Sequence, residues 1–142
     1  MYEQLFQLAN VLVVPFWLLM ILLPFWSWTK RIIASPWIVA PAALLYVSLI
    51  LPDFVSLLAQ LASPQLLAIA ALLGTPAGAT VAWAHFVAFD LFVGRWVYLD
   101  SRERGITAWL VSPILFFVLM FGPLGLLLYL LVRRFASRTV TT

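Results

Sequence analysis

His85, Asp90 and Arg95 lie in an otherwise apolar stretch, residues 79–99, and are the side chains best suited to chemistry in this chain. An imidazole titrates near neutral pH, a carboxyl gives or takes a proton, and a guanidinium steadies charge developing on a reacting oxygen. These three are the expected catalytic residues. Asp90 stands near the middle of the stretch, where an Asp in a membrane helix costs about 2.5–3.5 kcal/mol on insertion scales, so it needs a partner or a purpose. Turning about 100° per residue from His85 puts Asp90 at roughly 140°, Gly94 at roughly 180° and Arg95 at roughly 280°. The three therefore do not form one stripe. A direct Asp90 to Arg95 pair is strained within one helix, because helix pairs form at i, i+3 and i, i+4. The spacing predicts a partner for Asp90 on another helix, among Gln7, Asn10, Tyr46, Ser48, Ser112 and Tyr129, or a neutral acid. Trp83 and Gly94 share the Asp90 face, and with Trp96 they are the expected ligand-binding positions, Gly94 leaving room for a helix backbone or a flat ligand. The structural alternatives are a packing hub at Asp90, a hydrogen-bonding His85, and an Arg95 reaching to the headgroups.

The elements that must hold these residues follow from composition. The chain has 142 residues, 65% hydrophobic and 9% charged, whereas a soluble domain is about 45–50% apolar and about 25% charged. Mean hydropathy is +1.12, so the excess apolar surface must face lipid. A polytopic, all-α membrane bundle is predicted. About 26 uncharged residues separate Glu3 from Lys30, enough for a first span over residues 5–26. With no Lys or Arg before the run, it reads as a retained span and not a signal peptide. Lys30 and Arg31, flanked by Trp26, Trp28 and Trp37, mark an interfacial loop. A second span is predicted over residues 37–58, with Pro41 in its first turn and Pro52 kinking it near Asp53. Residues 62–78, rich in Pro and Gly, read as a loop holding a short apolar piece, residues 66–73. The alternative is a fifth span over residues 54–73.

The third span is residues 79–99, followed by a charged hairpin, Asp100 to Gly105. The fourth is residues 111–132, locally bent at Gly122-Pro123 and closed by Arg133, Arg134 and Arg138. In the four-span arrangement Lys30, Arg31, Arg102 and Arg104 stand on one side and the C-terminal arginines on the other, close to a tie. The five-span arrangement is more biased.

With no Cys and one His, Cys-ligated zinc, iron–sulfur clusters, disulfides and thiol catalysis are excluded, and no metal site is expected. There is no H-E-x-x-H, G-x-S-x-G, Walker loop or dinucleotide fingerprint, and no basic cluster of the kind that binds nucleic acid. Acid/base chemistry on an apolar molecule, or binding alone, is what the residue supply leaves.

The core Asp90-Leu91-Phe92-Val93-Gly94-Arg95-Trp96 is preceded by His85 and followed by Asp100-Ser101-Arg102-Glu103-Arg104-Gly105-Ile106. With Ser112-Pro113 and Phe121-Gly122-Pro123-Leu124-Gly125 in the last span, it resembles the abscisic-acid-deficient-4-like, or neoxanthin-synthase-like, family of small membrane proteins. The likeness runs over essentially the whole chain and implies four membrane helices and a link to xanthophylls. Plant members are required to make neoxanthin from violaxanthin, an epoxide-to-allene isomerisation. That reaction needs a general acid at the epoxide oxygen and a base for a polyene proton, and no cofactor. Asp90 and His85 are then the acid/base candidates and Arg95 the oxyanion stabiliser, in a site between the 79–99 helix and the final span. A non-catalytic subunit or xanthophyll-binding assembly factor of a pigment-synthesising or photosynthetic complex is the other reading. The expected partners are membrane lipid and a carotenoid or other apolar polyene, with room for a homo-oligomer. The short lead before the first span, without a plastid transit peptide, points to a bacterial inner membrane or a thylakoid membrane.

Overall fold

The computed structural model describes residues 1–136. Among the described residues seven α-helices follow one another: α1 (Tyr2–Leu22), α2 (Ser27–Ala34), α3 (Ala40–Ile50), α4 (Phe54–Ala62), α5 (Leu66–Leu73), α6 (Pro76–Glu103) and α7 (Ala108–Phe135). Among the described residues there is no strand. Tyr2–Leu22, Pro36–Ala62, Pro76–Glu103 and Ala108–Phe135 are long and apolar enough to cross a membrane. The chain is an all-α integral membrane protein, with four helices of that length and apolarity among the described residues.

Proline and glycine set the joints. In the second span a 3-10 turn, Pro36–Val39, leads into α3 with Pro41 in its first turn, and a second 3-10 turn, Leu51–Asp53, joins α3 to α4 around Pro52. The five-span alternative does not form, because Ser63, Pro64 and Gln65 divide residues 54–73 into helices of 9 and 8 residues, well short of the roughly 20 a crossing needs. The short piece predicted at residues 66–73 is α5. Helix α6 starts at Pro76, where the Thr75 hydroxyl accepts from the Gly78 N–H at 3.0 Å, and runs one turn beyond its predicted end. Residues 100–103, expected in a charged hairpin, are helical. Gly105, with φ of 65°, provides the left-handed stop, and the Ile106 N–H closes the cap on the Ser101 carbonyl at 2.9 Å.

Helix α6 is the hub and touches α1, α2, α3, α5 and α7. It runs parallel to α1: Trp83 meets Asn10, Gly94 meets the Trp17 ring, and Tyr98 meets Pro24. It runs antiparallel to the second span, with Arg95 near Ser35 and His85 near Tyr46. Lipid tails supply no hydrophobic drive between helices, so close approach through small residues does the packing. Ala9, Leu45 and Ala84 bring α1, α3 and α6 together at one level, and all three are buried.

The predicted bend in the last span is a reversal. Phe121 leaves helical geometry (φ −143°, ψ 50°), and residues 108–120 and 122–135 fold onto each other. A methyl group at Gly125 would overlap the backbone of Val118, a contact impossible in a straight helix, where residues seven apart are separated by about 10.5 Å. The start of α7 packs beside Tyr98, Ser101 and Arg102, while Tyr129 and Arg133 reach Asp100 at that same level. Each arm is about 13 residues, or about 20 Å, so the tip at Gly122 arrives near mid-depth, facing Asp90. Both ends of α7 therefore lie at the same end of the bundle. The near-tie in charge assumed a straight final span, and the structure removes it. Lys30, Arg31, Arg95, Arg102, Arg104, Arg133 and Arg134 gather at one end; Arg138 lies outside the described residues.

Candidate functional site

The predicted catalytic residues face three different neighbours. His85 turns to α3: its ring meets Tyr46 edge-on, with centroids 5.4 Å apart, and stacks on Phe89 at 4.7 Å. Asp90, near the midpoint of α6, faces the hairpin tip, where a methyl group at Gly122 would strike its carboxylate. Among the described residues it forms no ion pair, and three of the six polar partners expected for it are engaged elsewhere. Asn10 binds Trp83, Ser48 the Leu45 carbonyl and Tyr129 Asp100. Arg95 does not join them: its guanidinium donates to the carbonyls of Ala34 (2.5 Å) and Ser35 (3.2 Å), closing the C-terminal end of α2.

The predicted ligand-binding residues are likewise occupied by the protein itself. The Trp83 indole stacks on Phe6 at 5.1 Å and donates to Asn10 Oδ1 at 3.0 Å. The space at Gly94 is filled by the indole of Trp17 on α1. Trp96 meets Tyr129 edge-on and carries the Arg133 guanidinium 5.3 Å above its ring. The structure does not bring these six residues into one site.

Open volume lies elsewhere, between α3, α4, α5 and the first half of α6. A cleft of about 580 Å³ has walls from Leu49, Ile50, Leu57, Leu61, Leu72 and Val81. Ligand sites run from about 300 to 1,000 Å³, mostly apolar with a few polar groups. Here Asp53, Ser56, Gln60 and Thr75 are polar groups contributed by the segments toward the acidic end of the bundle, and His85 and Tyr46 are those contributed nearer its middle. Of the predicted catalytic residues, His85 alone lines this space. Its walls include residues from α4, at the end of the predicted second span, and from α5, the short apolar piece of the predicted loop. An apolar piece too short to span and too apolar for a surface loop was the available signal.

A second cluster sits at the basic end and was not anticipated. Asp100, 8% exposed, accepts from Tyr129 at 2.6 Å, from Arg104 Nε at 2.8 Å and from Arg133 Nε and Nη2 at 2.8 and 3.3 Å. Charge-assisted bonds of this kind are about twice as strong as neutral ones. The Arg102 guanidinium lies over the rings of Phe25 and Tyr98 and donates to the Pro24 carbonyl, to which the Tyr98 hydroxyl also donates. These contacts tie α6 to the second arm of α7 and to the connection between α1 and α2, so the cluster's evident role is positional. The Gly122-Pro123 break was its only trace in sequence: read as a reversal, it places Arg133 beside Asp100.

A family model described as ABA DEFICIENT 4-like matches residues 4–129 of the chain. No curated protein and no solved structure matches it.

Proposed function

The chain belongs to the ABA DEFICIENT 4-like family, and from that premise we propose that it binds a xanthophyll-type ligand, a long polyene with an oxygenated end ring, in the cleft between α3 and α6. The observation that carries this reading is the cleft itself, about 580 Å³, apolar along its walls, with polar groups toward one end and a single imidazole among its linings. A polyene needs apolar walls, and a hydroxyl or epoxide on its end ring needs a few hydrogen-bonding groups in place of water. The membrane that holds the chain is then one where xanthophylls are made or used, a thylakoid or a bacterial inner membrane.

The chemistry proposed is a cofactor-free isomerisation of an epoxy-xanthophyll. One proton goes to the epoxide oxygen as the ring C–O bond breaks. One proton leaves the polyene carbon as the allene forms, and the product is an isomer with no net redox. A single imidazole serves both steps, because it gives one proton and recovers one. His85 takes that role, with Tyr46 beside it. Asp90 and Arg95 take no chemical step in the proposal: Asp90 faces the hairpin tip and Arg95 holds the end of α2.

A second reading, binding without conversion in a pigment-synthesising or photosynthetic complex, is favoured by the dispersal of Asp90, His85 and Arg95 to separate neighbours. His85→Gln separates the two in a host that supplies an epoxy-xanthophyll. Under the isomerase reading, conversion falls by at least about 100-fold while pigment still co-purifies. Retained conversion refutes the role of His85. If no xanthophyll is bound or altered by the parent protein, the proposal as a whole fails.

A further inference from the structure

The two ends of the bundle differ in charge and in aromatic content. Seven of the eight Lys and Arg side chains stand at the end formed by α2, the tail of α6 and both termini of α7. The opposite end carries Glu3 and Asp53 and, among the described residues, no Lys or Arg. Helix α2 lies at the basic end with Thr29 and Ile33 buried and Trp28, Lys30 and Arg31 exposed, the Arg31 guanidinium over the Trp28 ring at 5.3 Å. Trp26, Trp37 and Trp109 are also exposed there, at 49%, 77% and 83%. Cationic side chains interleaved with exposed indoles fit the headgroup layer of an anionic leaflet, and cytoplasmic loops carry the excess of Lys and Arg.

We propose that this basic, Trp-bearing end lies in the anionic cytoplasmic leaflet, with the N-terminus and the Asp53 end of the cleft on the opposite side. The reversal at Phe121 is what makes the bias decisive, since it returns Arg133 and Arg134 to the side of Arg102 and Arg104. The orientation stands independently of any ligand. Where the proposed xanthophyll reading also holds, the oxygenated ring sits in the leaflet away from the cytoplasm.

The chain has no Cys, so each introduced Cys is the single reactive thiol. Ser27→Cys, Glu103→Cys, Phe135→Cys and Ser63→Cys place one at exposed positions. With a membrane-impermeant maleimide, positions 27, 103 and 135 label fully in inverted vesicles and lose labelling in intact cells, and position 63 does the reverse. Labelling of 27 and 103 from outside overturns the orientation, and labelling of 135 from the side opposite 103 overturns the reversal it rests on. A Lys30→Gln, Arg31→Gln, Arg134→Gln variant keeps this orientation, because Arg95, Arg102, Arg104 and Arg133 still stand at the basic end, and it isolates the lipid contact from the topology. In detergent with equal phosphatidylglycerol and phosphatidylcholine, the parent protein retains the anionic lipid preferentially and the triple variant loses that preference. Equal retention by the parent overturns the leaflet contact. None of these readouts involves pigment, so failure here is separable from failure of the proposed function.

Discussion

Replacing Tyr129 by Phe removes one hydroxyl from a buried ring and leaves its shape against Trp96 intact. That hydroxyl donates to Asp100 at 2.6 Å, and the ring is fully buried. A hydrogen bond to a charged group contributes about 1.5–3 kcal/mol, so the variant loses about that much, roughly a tenfold to hundredfold change in the unfolding equilibrium. Asp100→Ala costs more, about 3–5 kcal/mol, because it strips a buried carboxylate from two arginines. The informative quantity is the double variant. If Tyr129 and Asp100 touch, the loss at Tyr129 nearly vanishes once Asp100 is gone, giving a coupling within the range of about 0.5–3 kcal/mol for residues in contact. Unfolding by SDS titration in mixed micelles, followed by tryptophan fluorescence, measures all four corners of the cycle. Were α7 straight, Tyr129 would lie about 32 Å along the helix from Ala108, far from Asp100, and the two losses would add. Additivity within about 0.5 kcal/mol refutes the reversal and with it the common end for the basic residues.

Three further outcomes follow from contacts described above. Gly94→Val drives a branched side chain into the Trp17 ring and costs about 1–3 kcal/mol in the same titration, with pigment retention unaffected in the surviving folded protein. Gly105→Ala puts a Cβ at a φ of 65° and costs about 1–2 kcal/mol although nothing touches the site, so a neutral result argues against the left-handed stop. Ala82→Phe fills part of the α3–α6 cleft; co-purifying pigment drops while the SDS midpoint stays near that of the parent, and undiminished pigment moves the ligand elsewhere.

Much of this was legible from residue types. Apolar excess named the solvent, Pro and Gly marked the joints, and Gly105 marked a helix stop. The helical wheel separated His85, Asp90 and Arg95 correctly, because angular position depends only on the helical repeat. What each faced was not legible, since it depends on which helix lies at that angle. Gly122-Pro123 in an apolar run is equally compatible with a kink and with a reversal, and what distinguishes them is the approach of Gly125 to Val118 and the pairing of Asp100 with Tyr129 and Arg133. The cleft escaped for a similar reason: residues 54–73 have the composition and length of a lipid-facing helix but are divided at Ser63-Pro64-Gln65, and composition does not reveal what two short helices enclose.

The folded-back α7 also constrains how the protein is made. Neither arm, at about 13 residues, spans the bilayer by itself, so in the finished fold the two are seated as a closed pair. The groove that receives this pair is built by α1 and α6, both earlier in the chain. The docked state therefore has a division of parts: α1 and α6 form a platform, and two half-helices fill it as a wedge. The Asp100 carboxylate stays without Tyr129 and Arg133 until the wedge arrives, so their meeting marks the completed molecule.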